Sequence, residues 1–90
     1  MEERLKTIAD HYGKENQLRQ LMEECAEVIL EASHSIRKDG CTINLIREIA
    51  DVEIMIEQIK YLFKISEADI SEIKEEKIER QMERIERNEV

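Results

Sequence analysis

The sequence predicts an all-α protein: a helical bundle of about four helices, completed by oligomerisation. Three observations predict it. Proline is absent and glycine occurs only twice in 90 residues, so long stretches lack the residues that break helices. Apolar residues recur at spacings of three and four, the period of one helix face. Nowhere do β-branched residues alternate strictly with polar ones, so no strand is expected. The chain, 1–90, makes a single domain. Its core is too small to be secure alone, which is why assembly with further copies is expected.

The first helix is expected over about Glu2–Tyr12, ended by Gly13, since glycine is the usual residue just past a helix end. A second is expected over about Glu15–Lys38, ended by Gly40. The third covers about Asn44–Phe63, with Thr42 or Asn44 as its cap. The fourth covers about Glu67–Asn88, with Ser66 as N-cap and Asp69 three residues on, close to a capping box.

On the second helix the main apolar ladder is Leu18, Met22, Cys25, Ile29, Ala32 and Ile36, with spacing that alternates four and three. That is a bundle seam. A second ladder reads Leu21, Glu24, Val28, Glu31. On the third helix the ladder reads Leu45, Glu48, Val52, Met55, Ile59, Leu62. Glu48 therefore occupies a place where the period calls for an apolar residue, and it is directed toward other helices. Asp51 sits at the edge of the same stripe.

Charge narrows the partners. A formal net charge of −8 disfavours nucleic acid and anionic membranes and favours divalent cations. Cys25 and Cys41 lack the spacing of a zinc site and are too few for a disulfide framework. Cys25, within an apolar pattern, reads as a small buried hydrophobe. The opening MEERLKTIAD has no apolar signal core, and no apolar run approaches the length that spans a membrane. The expectation is a soluble, cytoplasmic protein.

The acids carry the chemistry. MEECAEV, residues 22–28, holds Glu23, Glu24 and Glu27, and EIADV holds Glu48 and Asp51. Carboxylates three apart share a helix face, with Cβ atoms roughly 5–6 Å apart. An ionised carboxylate in an apolar seam is costly unless it is paired or bound to metal. The remedies are protonation, a basic partner or a divalent cation. Few inward basic residues are available, and hard cations such as magnesium take oxygen ligands. Two acid pairs on facing helices suit a magnesium or manganese site. An acidic pair at this spacing is also common on a solvated helix face.

EECAE followed by EIAD resembles the EExxE…ExxD signature of the MazG-like all-α nucleoside triphosphate pyrophosphohydrolases. The resemblance covers most of the chain, from HYGKENQLRQLMEE to a charged last helix containing KEEKIER. It implies a helical bundle assembled as a homodimer or homotetramer. It implies magnesium-dependent cleavage of a nucleoside triphosphate to the monophosphate and pyrophosphate. Carried over by position, Glu24, Glu27, Glu48 and Asp51 are the metal ligands, and Glu24 or Glu27 orients or deprotonates the attacking water. Glu23 points away from the seam and is left out. Lys77 and Arg80 resemble the family's basic pair that meets the triphosphate; the alternative for this stretch is a solvated helix with i,i+4 pairs, Glu76–Arg80 and Glu83–Arg87. Relatives often hold the base with aromatic or tryptophan residues ahead of the first motif; here there is no tryptophan, and only Tyr12, Tyr61 and Phe63 are aromatic. His11, Asn16 and Gln17 precede the motif and are candidates to read a base edge, with a surface or capping role as the alternative. The related phosphoribosyl-ATP pyrophosphohydrolases usually carry a histidine shortly after the aspartate, and ADVEIMI has none.

Two rivals differ in class. Glu31–His34 is a Glu-x-x-His, as in di-iron carboxylate bundles, but those need two such motifs, and His34 reads better as a surface or helix-end residue. The other rival is a non-enzymatic helical interaction or dimerisation module built on the fourth helix, with Ile70, Ile73, Ile78, Met82 and Ile85.

Overall fold

The computed structural model describes residues 2–37 and 42–88. Among them are three helices and no strand: α1 (Glu3–Arg37), α2 (Thr42–Phe63) and α3 (Glu67–Glu86). The expected break at Gly13 is a kink rather than an end. Gly13 has φ 84° and ψ 172°, a conformation open to glycine and strained for other residues. The helix resumes at once, so the two expected N-terminal helices form one bent element. Gly40 lies outside the described residues.

α1 and α2 form an antiparallel hairpin. Its register shows in paired residues. The Tyr61 hydroxyl donates to both carboxylate oxygens of Asp10 at 2.9 Å, Gln17 meets Gln58, and Glu27 faces Glu48. Near the kink the Lys14 ammonium lies 5.4 Å from the centre of the Phe63 ring, a cation–π contact that ties the bend to the end of α2. Among the described residues, Ala9, Gln17, Met55 and Gln58 are buried. On α2 the expected ladder faces α1: Met55 is buried, and Leu45, Glu48, Val52, Ile59 and Leu62 are half-buried.

On α1 the outcome is the reverse of the expectation. Leu18, Met22, Cys25, Ile29, Ala32 and Ile36 are all exposed. The second ladder packs against α2, with Leu21, Glu24, Val28 and Glu31 half-buried and Gln17 buried. Cys25 is accordingly an exposed free thiol, not a buried hydrophobe. Two ladders on one helix compete for one partner. The ladder that packs is the half-polar one: its Gln17 meets Gln58 across the hairpin, while its carboxylates repel Glu48 and do not drive that choice.

α2 ends in a Schellman motif with Lys64 in the left-handed region at φ 54°. Ile65 N donates to Lys60 O and Lys64 N to Tyr61 O, which satisfies carbonyls a helix end leaves open. Ser66 then caps α3 as expected, its Oγ accepting from Ala68 N at 3.1 Å and Asp69 N at 3.4 Å. Lys60 bridges the junction, pairing with Glu57 at 3.1 Å and Glu67 at 2.7 Å. Beyond that junction α3 packs on neither α1 nor α2. The Cα radius of gyration is 16.2 Å, against about 12 Å for a compact chain of this length. The four-helix bundle is thus not closed within one chain. No helix among the described residues is long and apolar enough to cross a membrane.

Candidate metal centre

Glu24 and Glu27 come from the middle of α1 and Glu48 from the N-terminal half of α2. Antiparallel packing brings one carboxylate oxygen of each to within 4.8 Å of the others. Glu24 and Glu48 are half-buried and Glu27 is exposed. The cluster therefore opens to solvent on one side and is walled by the hairpin on the other. Gln20, one turn before Glu24, donates from Nε2 to Glu24 Oε1 at 2.8 Å and fixes that carboxylate.

Glu48 is the unusual member. Its Oε2 is buried and has no hydrogen-bond partner among the described residues. Burial pushes its carboxyl above the ordinary range; the Glu27 charge, a hydrogen bond with Glu27, and the charges of Asp51 and Glu24 act in the same direction. No basic residue among the described ones is a cause. A buried carboxylate oxygen facing other carboxylates lacks the partner that native interiors supply. An all-oxygen donor set with one orphaned oxygen fits a hard divalent cation.

Asp51 is exposed, one turn further along α2. It lies outside the triple, yet close enough for its charge to act on Glu48. Glu23 is exposed and turned toward a neighbouring cleft, consistent with its omission from the ligand set. Glu31 is half-buried with an unpartnered Oε2, and its Oε1 lies 3.7 Å from His34 Nδ1. His34 is half-buried and lies in the last turn of α1, a helix-end residue as expected.

Lys77 and Arg80 are not brought to the acids, because α3 leaves the hairpin. They are exposed, and at the end of the same helix the cap residue Arg87 pairs with Glu83 at 3.9 Å. His11 is exposed and stacks edge-on against Tyr12, ring centres 4.7 Å apart. Asn16 donates from Nδ2 to Tyr12 O at 2.9 Å, a surface role next to the kink. Gln17 is buried, and Nε2 donates to Gln58 Oε1. Gln58 and Gln20 went unnoticed in the sequence. Each had a signal: Asp51, Met55, Gln58 and Leu62 follow one four–three–four stripe, and Gln20 stands one turn before Glu24 on the same face of α1. No protein-family model matches the chain, and neither curated proteins nor solved structures yield a match.

Proposed function

We propose that the chain is a magnesium- or manganese-dependent nucleoside triphosphate pyrophosphohydrolase, releasing the monophosphate and pyrophosphate. The observation that carries the reading is the partnerless buried oxygen of Glu48 among Glu24 and Glu27. Glu24, Glu27 and Glu48 would hold the cation, with Asp51 entering from one turn away. A bound divalent cation would neutralise phosphate charge and acidify a coordinated water. The chain's own carboxylates supply the rest. Glu24, steadied by Gln20, or the more exposed Glu27 orients a water and takes its proton as the water oxygen bonds to the α-phosphorus. The bond from that phosphorus to the β-phosphate bridge breaks, and pyrophosphate leaves.

Lys77 and Arg80 stand away from the acids of their own chain, so in this reading they meet the triphosphate from another copy. The exposed α1 ladder supports assembly into a homodimer or homotetramer. That same ladder favours the second reading, a non-enzymatic interaction or dimerisation module. The two differ in what the acids do. Pyrophosphate release from a panel of nucleoside triphosphates and deoxynucleoside triphosphates, with and without magnesium, is the test. Turnover abolished by Glu48→Gln and Asp51→Asn, with helicity and assembly intact, is the expected result. A folded protein that turns over nothing and binds no magnesium would instead be the interaction module.

A further inference from the structure

Residues 3–12 of α1 form an arm that ends at the Gly13 kink, where φ 84° and ψ 172° break the helical run. At the break a side chain serves the backbone: Asn16 Nδ2 donates to Tyr12 O at 2.9 Å. The two sides of the break are tied to α2 differently. Beyond it, Lys14 lies 5.4 Å from the centre of the Phe63 ring, and Gln17 donates to Gln58. Before it, the arm turns little inward. Leu5 is half-buried and Ala9 is buried, while Ile8 and Tyr12 are 40% and 53% exposed.

Most side-chain ties of the arm are local. Lys6 pairs with Glu3, Arg4 pairs with Glu2, and Thr7 Oγ1 donates to Glu3 O. Among the described residues, the polar contact from the arm to α2 is the one between Asp10 and the Tyr61 hydroxyl. A helix this short does not hold itself, because isolated helices below about 12–15 residues are marginal in water. When the Tyr61 contact breaks, the arm leaves α2 and unwinds as a unit. The break at Gly13 keeps that opening from passing into the rest of α1, the behaviour of a separate cooperative segment.

The arm also walls an open cleft of about 730 Å³. Ile8 and Tyr12 form its side of the cleft, and Gln17, Gln20 and Met55 line the body of the hairpin opposite. Gln20 holds Glu24 at 2.8 Å, so the cleft leads to the carboxylates. We propose that residues 3–12 are a hinged lid: Gly13 is the pivot, the Tyr61–Asp10 contact is the latch, and release of the arm opens the cleft. The lid stands on the break, the latch and the wall, and does not need the hydrolase reading.

Amide hydrogen exchange of the wild type and Tyr61→Phe tests pivot and latch together. In the wild type, amides 7–12 should exchange at one shared rate, at least tenfold faster than amides 18–35. Tyr61→Phe should speed that block by about a further tenfold, the worth of one hydrogen bond, and leave 18–35 unchanged. Asp10→Ala breaks the same contact from the arm and serves if Tyr61→Phe does not fold. Protection that rises smoothly along α1, with no step at Gly13, is end fraying and overturns the lid. So does a block that exchanges no faster in either variant. The cleft is read separately, from the Met55 methyl signal in ¹³C-methionine protein with a soluble nitroxide. Met55 is 5% exposed, and its relaxation by the nitroxide should increase in Tyr61→Phe. Equal relaxation in the two proteins would mean that the arm moves without opening the cleft, and would also overturn the lid.

Discussion

Glu48 sits on α2 where the helical period calls for an apolar residue, and the structure directs it to the hairpin seam beside Glu24 and Glu27. The consequence is a defined pH dependence. Its carboxyl titrates above the ordinary value of 4.5 because burial and neighbouring acids disfavour its charged form. The folded state therefore holds this proton more tightly than the unfolded chain does. Stability from this group is fully present below that ordinary value and is lost as pH rises through the elevated folded value. Glu2 and Glu67 shift the other way, drawn down by Arg4 and Lys60, so their contribution is lost as pH falls below the ordinary carboxylate range. In metal-free protein, the melting temperature should decline as pH rises above about 4.5, toward neutrality. Glu48→Gln should remove much of that decline, and magnesium should restore stability to the wild type but not to the variant. Parallel melting curves for the two proteins across that range would mean that Glu48 is not under repulsion. Glu48→Leu extends the same logic, raising the melting temperature of the metal-free protein while eliminating turnover.

At the scale of elements, the sequence was legible where one residue type forces one backbone state. Ser66 caps α3 as expected, and Gly13 interrupts the helical backbone, though it bends α1 instead of ending it. The inward face of α2 was legible in part: the ladder through Glu48 and Met55 faces α1, but Gln58, more buried than any of its members, lies off it. α1 was not, because it carries two ladders and periodicity alone does not say which of them meets a neighbour. The apolar ladder looked like the seam, yet the one bearing Gln17, Glu24 and Glu31 packs on α2. For the same reason a pattern on α3 could not place Lys77 and Arg80: it marks a face, not what the face touches. The kink permits a sharper prediction. A Cβ at position 13 would meet nothing within 4 Å, so Gly13→Ala costs only backbone strain, about 1–3 kcal/mol. For a domain of this size that lowers the melting temperature by roughly 4–8 °C per kcal/mol. D-Alanine at position 13, introduced by chemical synthesis, accepts the positive φ and should retain the wild-type melting temperature. Equal losses with both enantiomers would show that the site resists a side chain rather than a handedness.

The whole molecule is a hairpin and a separate helix, with more apolar surface than one chain covers. Met22 and Ile29 are each 70% exposed and Ile36 is 82% exposed, all on the α1 face that turns away from α2. Contiguous apolar surface of this kind marks an interaction site. Four–three spacing over Leu18, Met22, Cys25, Ile29, Ala32 and Ile36 suits a helix-to-helix seam. The assembly proposed above would therefore use this face. Ile29→Glu would bury an ionised carboxylate in the seam, at a cost of several kcal/mol. The dissociation constant should then rise by roughly 100-fold or more, measured by sedimentation at graded concentrations. Cys25 reports the same event independently. It is exposed in the single chain, so its alkylation should be slow in the assembled wild type and fast in Ile29→Glu. A wild type that sediments as a monomer at micromolar concentration, with Cys25 reacting as fast as in the variant, would rule out assembly through α1.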